Sequence, residues 1–256
     1  KASLLDAIEL NGAKAAANQK AFQIGRWAAL NPEEVDRVIG SEVVDLPKTL
    51  DEKIAFRVAH LEAYQSGRLA RRYLKMVNRA TDPTLKEAIA EGYHKVLAYK
   101  DEFEVARLLT ETRQKAEAVF EGDLKLSYHL APPILPGKDA SGRPRKRAFR
   151  SWSERLWPLL ARLRWLRGTP FNPFGYSADR RLERRLIRQY ERDMAKVFKD
   201  PDRNRDAALA LAELPLSVRG FGPVKEANAK VAAARREELL QALKSGTPLP
   251  AATAAE

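Results

Sequence analysis

The chain has 256 residues, with 46 Lys and Arg against 34 Asp and Glu, and its +12 charge calls either for an anionic partner or for helices that carry their cations out into water. The absence of cysteine excludes disulfides, thiolate catalysis and thiolate-held iron–sulfur clusters in this segment, and fits a reducing, cytoplasmic compartment. No apolar run approaches the roughly 20 residues of a membrane span, so no membrane partner is expected, and no signal-peptide pattern opens the chain.

Residues 2–10 read as a short helix stopped by Asn11-Gly12, and residues 13–30 as a second, with Ala17, Phe22, Ile24, Trp27 and Leu30 as its apolar contacts. Asn31-Pro32 with Glu34 offers a cap, a first-turn Pro and an N3 acid for a third helix that ends at Gly40. Residues 41–48 read as a linker. Thr49-Leu-Asp-Glu52 is a capping box. Behind it, Ile54, Val58, Leu61 and Tyr64 share one helical face, which Leu69, Tyr73, Met76 and Val77 extend beyond Gly67. Asp82-Pro83 starts a further helix expected to reach Phe120, with Gly92 as its kink. Leu124, Leu126, Tyr128 and Leu130 alternate with Lys125, Ser127 and His129, which predicts a strand ended by Pro132-Pro133. Residues 138–143 read as a turn and 144–149 as the partner strand. A lone hairpin is marginal in water, so this one has to pack on helices.

Ser151-Trp-Ser-Glu154 is a second capping box, ahead of a helix carrying Trp152, Leu156, Leu159, Leu160, Leu163 and Leu166, which Pro158 breaks or restarts. Residues 168–175 form a Pro- and aromatic-rich loop whose Phe171, Phe174 and Tyr176 pin it to the core. Ser177 caps an amphipathic helix with Leu182, Leu186, Tyr190, Met194 and Val197 inside and Arg180, Arg181, Arg184, Arg185 and Arg188 outside. A short helix over 206–214, a turn over 215–222 and a final helix over 224–243 follow, and the tail from Ser245 reads as disordered. The fold class is therefore mainly α, with one β-hairpin near 124–149.

Four features could carry chemistry. Arg219-Gly-Phe-Gly-Pro-Val-Lys225 precedes a helix start, where free N–H groups and the helix dipole favour an anion. Gly220 and Gly222 let the backbone approach a ligand and Arg219 and Lys225 add charge; the same string also reads as a tight turn with Phe221 plugged into the core. The imidazoles are His60, His94 and His129, and His129 reads as a proton shuttle, a ligand clamp or a satisfied structural residue. Isolated histidines without Cys or paired carboxylates speak against a metal site. Tyr93, Lys100 and Arg107 recur at sevens along the expected helix, either as a salt-bridge network with Asp101, Glu102 and Glu104 or as a phosphate-binding face. Within the arginine-rich helix, Arg180–Glu183 and Arg188–Glu191 are i,i+3 pairs that neutralise part of the charge, while Arg180, Arg184 and Arg188 repel one another at i,i+4. That helix invites a nucleic-acid reading, although no zinc-finger, RNA-recognition or helix-turn-helix string accompanies it.

Several dense strings carry a resemblance. Ala15-Ala-Ala-Asn18, Ala21-Phe22, Gly25-Arg26 and Ala28-Ala29 are similar to the closing helix of the gamma-type domain of 2-oxoacid:acceptor oxidoreductases. Gly92-Tyr-His-Lys-Val-Leu-Ala-Tyr-Lys-Asp101, Glu104-Val-Ala-Arg-Leu108, His129-Leu-Ala-Pro-Pro133, Leu166-Arg-Gly-Thr169, Pro173-Phe-Gly-Tyr176, Leu214-Pro215 and Arg219-Gly-Phe-Gly222 with Val224-Lys-Glu-Ala-Asn228 resemble the helical domain that follows it in single-polypeptide indolepyruvate ferredoxin oxidoreductases. The resemblance covers roughly residues 1–243. It implies the terminal helices of an upstream α/β domain over 1–40, a helical C-terminal domain over 41–245 and a disordered tail over 246–256. It implies oxidative decarboxylation of aryl pyruvates such as indolepyruvate to acyl-CoA, with thiamine diphosphate, magnesium and 4Fe–4S clusters in the whole enzyme. Ferredoxin and CoA would be partners of that enzyme, which is expected to be a homo-oligomer. This segment shows neither cluster cysteines nor a thiamine-diphosphate magnesium pattern, and no catalytic or metal-binding residue is assigned to it. Its opening at Lys1 fits a piece of that larger chain, structural or active-site covering and inactive alone. The anion or CoA contact expected within it is Arg219, Gly220, Gly222 and Lys225, with His129 nearby. The alternative is a basic helical nucleic-acid-binding module.

Overall fold

The computed structural model describes residues 2–10, 15–39, 47–120, 122, 124–131, 137 and 145–249. The chain divides into two compact units, Lys1–Pro47 and Lys48–Glu256. The first holds α1 (Ala2–Leu10), α2 (Ala15–Leu30) and α3 (Pro32–Ile39). No residue of α2 is buried, and Ile24, Trp27 and Leu30 stand exposed. Asn31 donates from Nδ2 to the Trp27 carbonyl at 2.9 Å, closing α2. The expected stops at Asn11-Gly12 and Gly40 and the linker over 41–46 lie outside the described residues.

The second unit is mainly α with one antiparallel hairpin. Its elements are α4 (Leu50–Tyr64), α5 (Gly67–Val77), α6 (Pro83–Leu97), α7 (Glu102–Thr110), α8 (Thr112–Val119), β1 (Tyr128–Leu130), β2 (Arg147–Phe149), α9 (Leu156–Arg162), α10 (Ala178–Val197), α11 (Arg205–Glu213) and α12 (Pro223–Ser245). Short 3-10 turns occupy Ser151–Arg155, Leu163–Leu166 and Leu214–Ser217. Thr49 and Glu52 form the expected capping box on α4. Ser66, Asp82, Asp101, Ser177 and Asn204 each accept a backbone N–H at the start of their helices. In the hairpin Tyr128 faces Phe149, His129 faces Ala148 and Leu130 faces Arg147.

Two long helices expected from the periodicity are broken. The face running through Gly67 divides at Gln65 and Ser66, where the Ser66 hydroxyl caps α5. The helix expected to reach Phe120 stops at Leu97, and Asp101 opens α7 by accepting the Glu104 N–H at 2.9 Å. Apolar spacing persists across the first break because α4 and α5 feed one core; across the second, α6 feeds that core while Ala106 of α7 belongs to a smaller cluster. Gly92 is no kink: a Cβ there would lie 2.0 Å from the Ala212 carbonyl oxygen, so its bare backbone lets α6 and α11 approach. Ser151 does not close a capping box; that segment is a 3-10 turn after Arg150, with Ser153 Oγ donating to the Arg150 carbonyl at 2.8 Å. Pro158 sits inside α9. Of the loop aromatics, Phe174 meets Phe103 edge-on at 5.5 Å, whereas Phe171 and Tyr176 are exposed. Of the tail, residues 246–249 are described: Gly246 is left-handed at the end of α12, Asn204 donates to the Thr247 carbonyl at 2.6 Å and Leu249 packs on the core. Residues 250–256 lie outside the description, as do 132–136 and 138–144, which hold the expected Pro-Pro stop and turn.

The principal core joins α4, α5, α6, α10, α11 and α12 around Leu61, Tyr73, Ile89, Tyr93, Tyr190, Met194, Leu211 and Leu239. Tyr73, Tyr93 and Tyr190 stack as a column with centroid spacings of 6.2 and 5.6 Å. Each ring also has a use for its hydroxyl: Tyr73 donates to the Ala90 carbonyl, Tyr190 to the Ala212 carbonyl and Tyr93 to the Glu191 carboxylate. A smaller cluster of Ala106, Tyr128 and Trp157 seats the hairpin on α7 and α9.

Candidate functional site

The arginine-rich helix α10 is where sequence and structure differ most usefully. The local pairs Arg180–Glu183 and Arg188–Glu191 do not form. Arg180 instead pairs with Glu102 at the start of α7 at 3.0 Å. Glu183 is buried and takes Lys225 of α12 at 2.6 and 2.7 Å. Glu191 accepts Arg72 of α5 at 2.6 Å together with the Tyr93 hydroxyl. Asp193 takes both edges of Arg236 at 2.6 Å. Other elements thus recruit the acids that spacing assigned to α10's own cations. Arg184 and Arg188, one turn apart, are left with no carboxylate partner among the described residues.

These two guanidinium groups line a pocket of about 230 Å³ between the end of α4, α5, the Arg167-Gly168 turn and α10. Arg72 and Arg167 also line it, with Gln65, Leu69, Leu97, Tyr99, Gly168 and Ile187 completing the wall, and no carboxylate does. Arg167 is buried and fixed. Its Nε and Nη2 reach Asp101 at 2.6 and 2.7 Å, its Nη1 donates to the Tyr64 carbonyl at 2.6 Å, and its guanidinium lies 3.6 Å over the Tyr64 ring. Burial pushes the Tyr99 phenol up to about 12, so it stays neutral beside the cations. Arg184 and Gly168 are shared with a second pocket of about 220 Å³ lined by Thr169, Pro170, Gly175 and Tyr176. The wall thus holds four arginines and no acid; two of them, Arg72 and Arg167, are answered by Glu191 and Asp101, and two, Arg184 and Arg188, are not.

A second polar cluster connects α4, α6 and α7. His60 Nδ1 and His94 Nε2 lie 3.0 Å apart, so the histidines are not all isolated. His60 Nε2 stands 3.8 Å from Glu104 Oε1, and Arg107 holds the same carboxylate with two hydrogen bonds at 2.7 and 2.9 Å. Burial, with the adjacent His60 and Arg57 charges, brings the His94 imidazole down to about 4. Burial would raise the Glu104 carboxyl, but the hydrogen bonds from Arg107 and His60 outweigh it and bring the group down to about 2. Among the described residues, no group of three His, Asp or Glu is placed to hold a metal ion.

The candidate residues of the 219–225 string stay together but are largely engaged. Gly220 and Gly222 adopt φ of +90° and +55°, and Gly222 opens α12 without a side-chain cap. Arg219 donates from Nε to the Leu216 carbonyl at 3.1 Å, and the Lys225 ammonium is met by Glu183. Phe221 is 70% exposed and plugs nothing. His129 sits exposed in the hairpin, 3.5 Å from Ser127 Oγ, in the part of the unit that packs on α7 and α9. Tyr93, Lys100 and Arg107 do not share a face, because the break at 98–101 separates α6 from α7. The spacing within α10 does not reveal Arg72 and Arg167 as neighbours of Arg184 and Arg188: Arg72 lies on α5, and Arg167, although part of the Leu166-Arg-Gly-Thr169 string, lies in the turn ahead of α10.

No curated protein and no solved structure matches the chain. A family model described as a family of unknown function, DUF6537, matches residues 50–238, close to three quarters of the 256 residues. That span runs from the first residue of α4 into α12 and takes in most of the principal core and the arginine-lined pocket. The chain therefore belongs to the DUF6537 family.

Proposed function

We propose that this chain is the C-terminal part of a 2-oxoacid:ferredoxin oxidoreductase that oxidatively decarboxylates aryl pyruvates, indolepyruvate among them, to acyl-CoA in the cytoplasm. Within it the chain serves as a structural or active-site-covering piece. One observation carries the reading of a part within a larger assembly. Trp152, Leu159 and Trp165, close together in sequence on the 3-10 turns and α9, stand 63%, 58% and 62% exposed, large apolar side chains that a partner domain would cover. The strings behind the resemblance also fall on joints of the fold: Gly92 against Ala212, Asp101 with Arg167, and Lys225 with Glu183. Thiamine diphosphate, magnesium and 4Fe–4S clusters are assigned to the rest of the enzyme. This chain has no cysteine, and its described residues offer no three-ligand group. Its own contribution is placement and exclusion of water around chemistry supplied elsewhere.

The test takes the intact polypeptide that contains this chain, supplies indolepyruvate and CoA, and follows ferredoxin reduction. Reduction by the intact protein, and none by residues 1–256 alone, is the expected outcome. An intact protein that leaves aryl pyruvates untouched, or turnover by the isolated chain, overturns the proposal. In the same assay a CoA site at the 219–225 turn predicts a raised KM for CoA in the Arg219→Ala/Lys225→Ala variant; an unchanged KM removes that site. The second reading, a nucleic-acid-binding module, draws on the unpaired arginines of α10. It predicts oligonucleotide affinity that falls tenfold or more between low and moderate salt.

A further inference from the structure

Arg184 and Arg188 present a physical problem that the fold does not solve by itself. Like charges one helical turn apart cost a few tenths of a kcal/mol on an open helix, and more in a concave wall where water is partly displaced. Here they stand in a wall that already holds Arg72 and Arg167, and the nearby acids are all used. Asp101 answers Arg167, Glu191 answers Arg72, Glu102 answers Arg180 and Glu183 answers Lys225. The wall is left with two uncompensated positive charges. At about 230 Å³ it is smaller than the ~300 Å³ at which pockets begin to enclose whole small-molecule ligands. It suits a compact group with two negative charges.

We propose that this pocket binds the phosphate dianion of a phosphate monoester, with Arg184 and Arg188 as its direct ligands and Arg72 and Arg167, paired with Glu191 and Asp101, in the wall behind it. The organic remainder passes over Gly168 into the second pocket, toward Pro170 and Tyr176, because Arg184 and Gly168 are common to both. Gly168, at φ +83° with nothing within 4 Å of where a Cβ would sit, keeps that passage open. The site stands on charge and shape alone, independent of the oxidoreductase assignment.

The experiment titrates the 256-residue chain with inorganic phosphate, sulfate and acetate at low ionic strength, by calorimetry and by the rise in Tm. Phosphate and sulfate are expected to bind at least tenfold more tightly than acetate. Phosphate, unlike sulfate, should weaken as the pH falls below neutral and its second proton returns. The Arg184→Gln/Arg188→Gln double variant should lose at least tenfold in phosphate affinity. Arg155→Gln/Arg162→Gln, which removes the same charge from the exposed surface around α9, should lose less than twofold. Arg188→Gln alone, at an exposed position without a partner, guards against a folding defect and should lose at least threefold. Equal losses in both double variants, no preference over acetate, or single-stranded oligonucleotide binding weakened equally by both double variants overturns the proposal.

Discussion

Arg167 ties the end of α4 to the start of α7. With Asp101 it forms a bidentate pair only 3% and 2% exposed, and the same Asp101 caps α7. Removing one partner of such a pair strands the other charge in a poorly hydrated site, at a cost of about 3–5 kcal/mol. Arg167→Met is expected to lose that much in urea unfolding. Arg167→Lys should recover little, because an ammonium cannot span both carboxylate oxygens and the Tyr64 carbonyl.

His94 makes a separate prediction in pH. Its imidazole is held down at about 4, and in the unfolded chain it returns to near 6.5. Between those values the unfolded chain binds more protons, so this contribution is complete above pH 6.5 and is lost as the pH falls toward 4, by up to about 3 kcal/mol. The charged and titratable groups around it are His60, Arg57 and Lys95, with Glu104 beyond His60. Glu104, brought down to about 2, acts in a lower window, below about 4.5. Urea midpoints between pH 7.5 and 5 should fall for the native chain and flatten for His94→Gln; an unchanged slope contradicts the assignment.

At the scale of elements, caps and hairpin could be read in advance because their determinants are local. Thr49, Asp82 and Ser177 lie beside the N–H groups they serve, and alternation locates β1, although of the expected 124–130 only Tyr128–Leu130 form strand. The helix breaks at 65–66 and 98–101 could not be read from periodicity, since hydrophobic spacing reports which face is buried and not whether one helix carries it. Gly92 shows the same limit. As a residue of α6 it should prefer Ala by about 1 kcal/mol. As a contact it has no room for a methyl, with the Ala212 oxygen 2.0 Å from the position of a Cβ. Overpacking costs about 1–3 kcal/mol and more against unyielding backbone, so Gly92→Ala is expected to lower Tm despite the gain in propensity. A raised Tm would mean that α6 and α11 separate freely.

For the whole molecule, the distribution of charge matters more than its +12 total. Spacing within α10 pairs Arg180 and Arg188 with acids three residues away, whereas Glu183 meets Lys225 42 residues along and Glu102 meets Arg180 78 residues along. Such partners are chosen by the packing of helices, which no local pattern contains. Hence the turn over 219–225 stood out in the sequence while the pocket beside α10 did not. The same packing makes charge pairs into ties between elements: Glu183 joins α10 to α12, Glu191 joins it to α5, and Asp193 reaches Arg236.

The most direct measurement of this account is an NMR titration with inorganic phosphate that follows the Nε–Hε signals of the arginines. Arg184 and Arg188 should shift together and saturate, while Arg167 and Arg180, already committed to Asp101 and Glu102, remain in place. Stationary signals from Arg184 and Arg188 while Arg219 moves, or one small shift common to every exposed arginine, would contradict it.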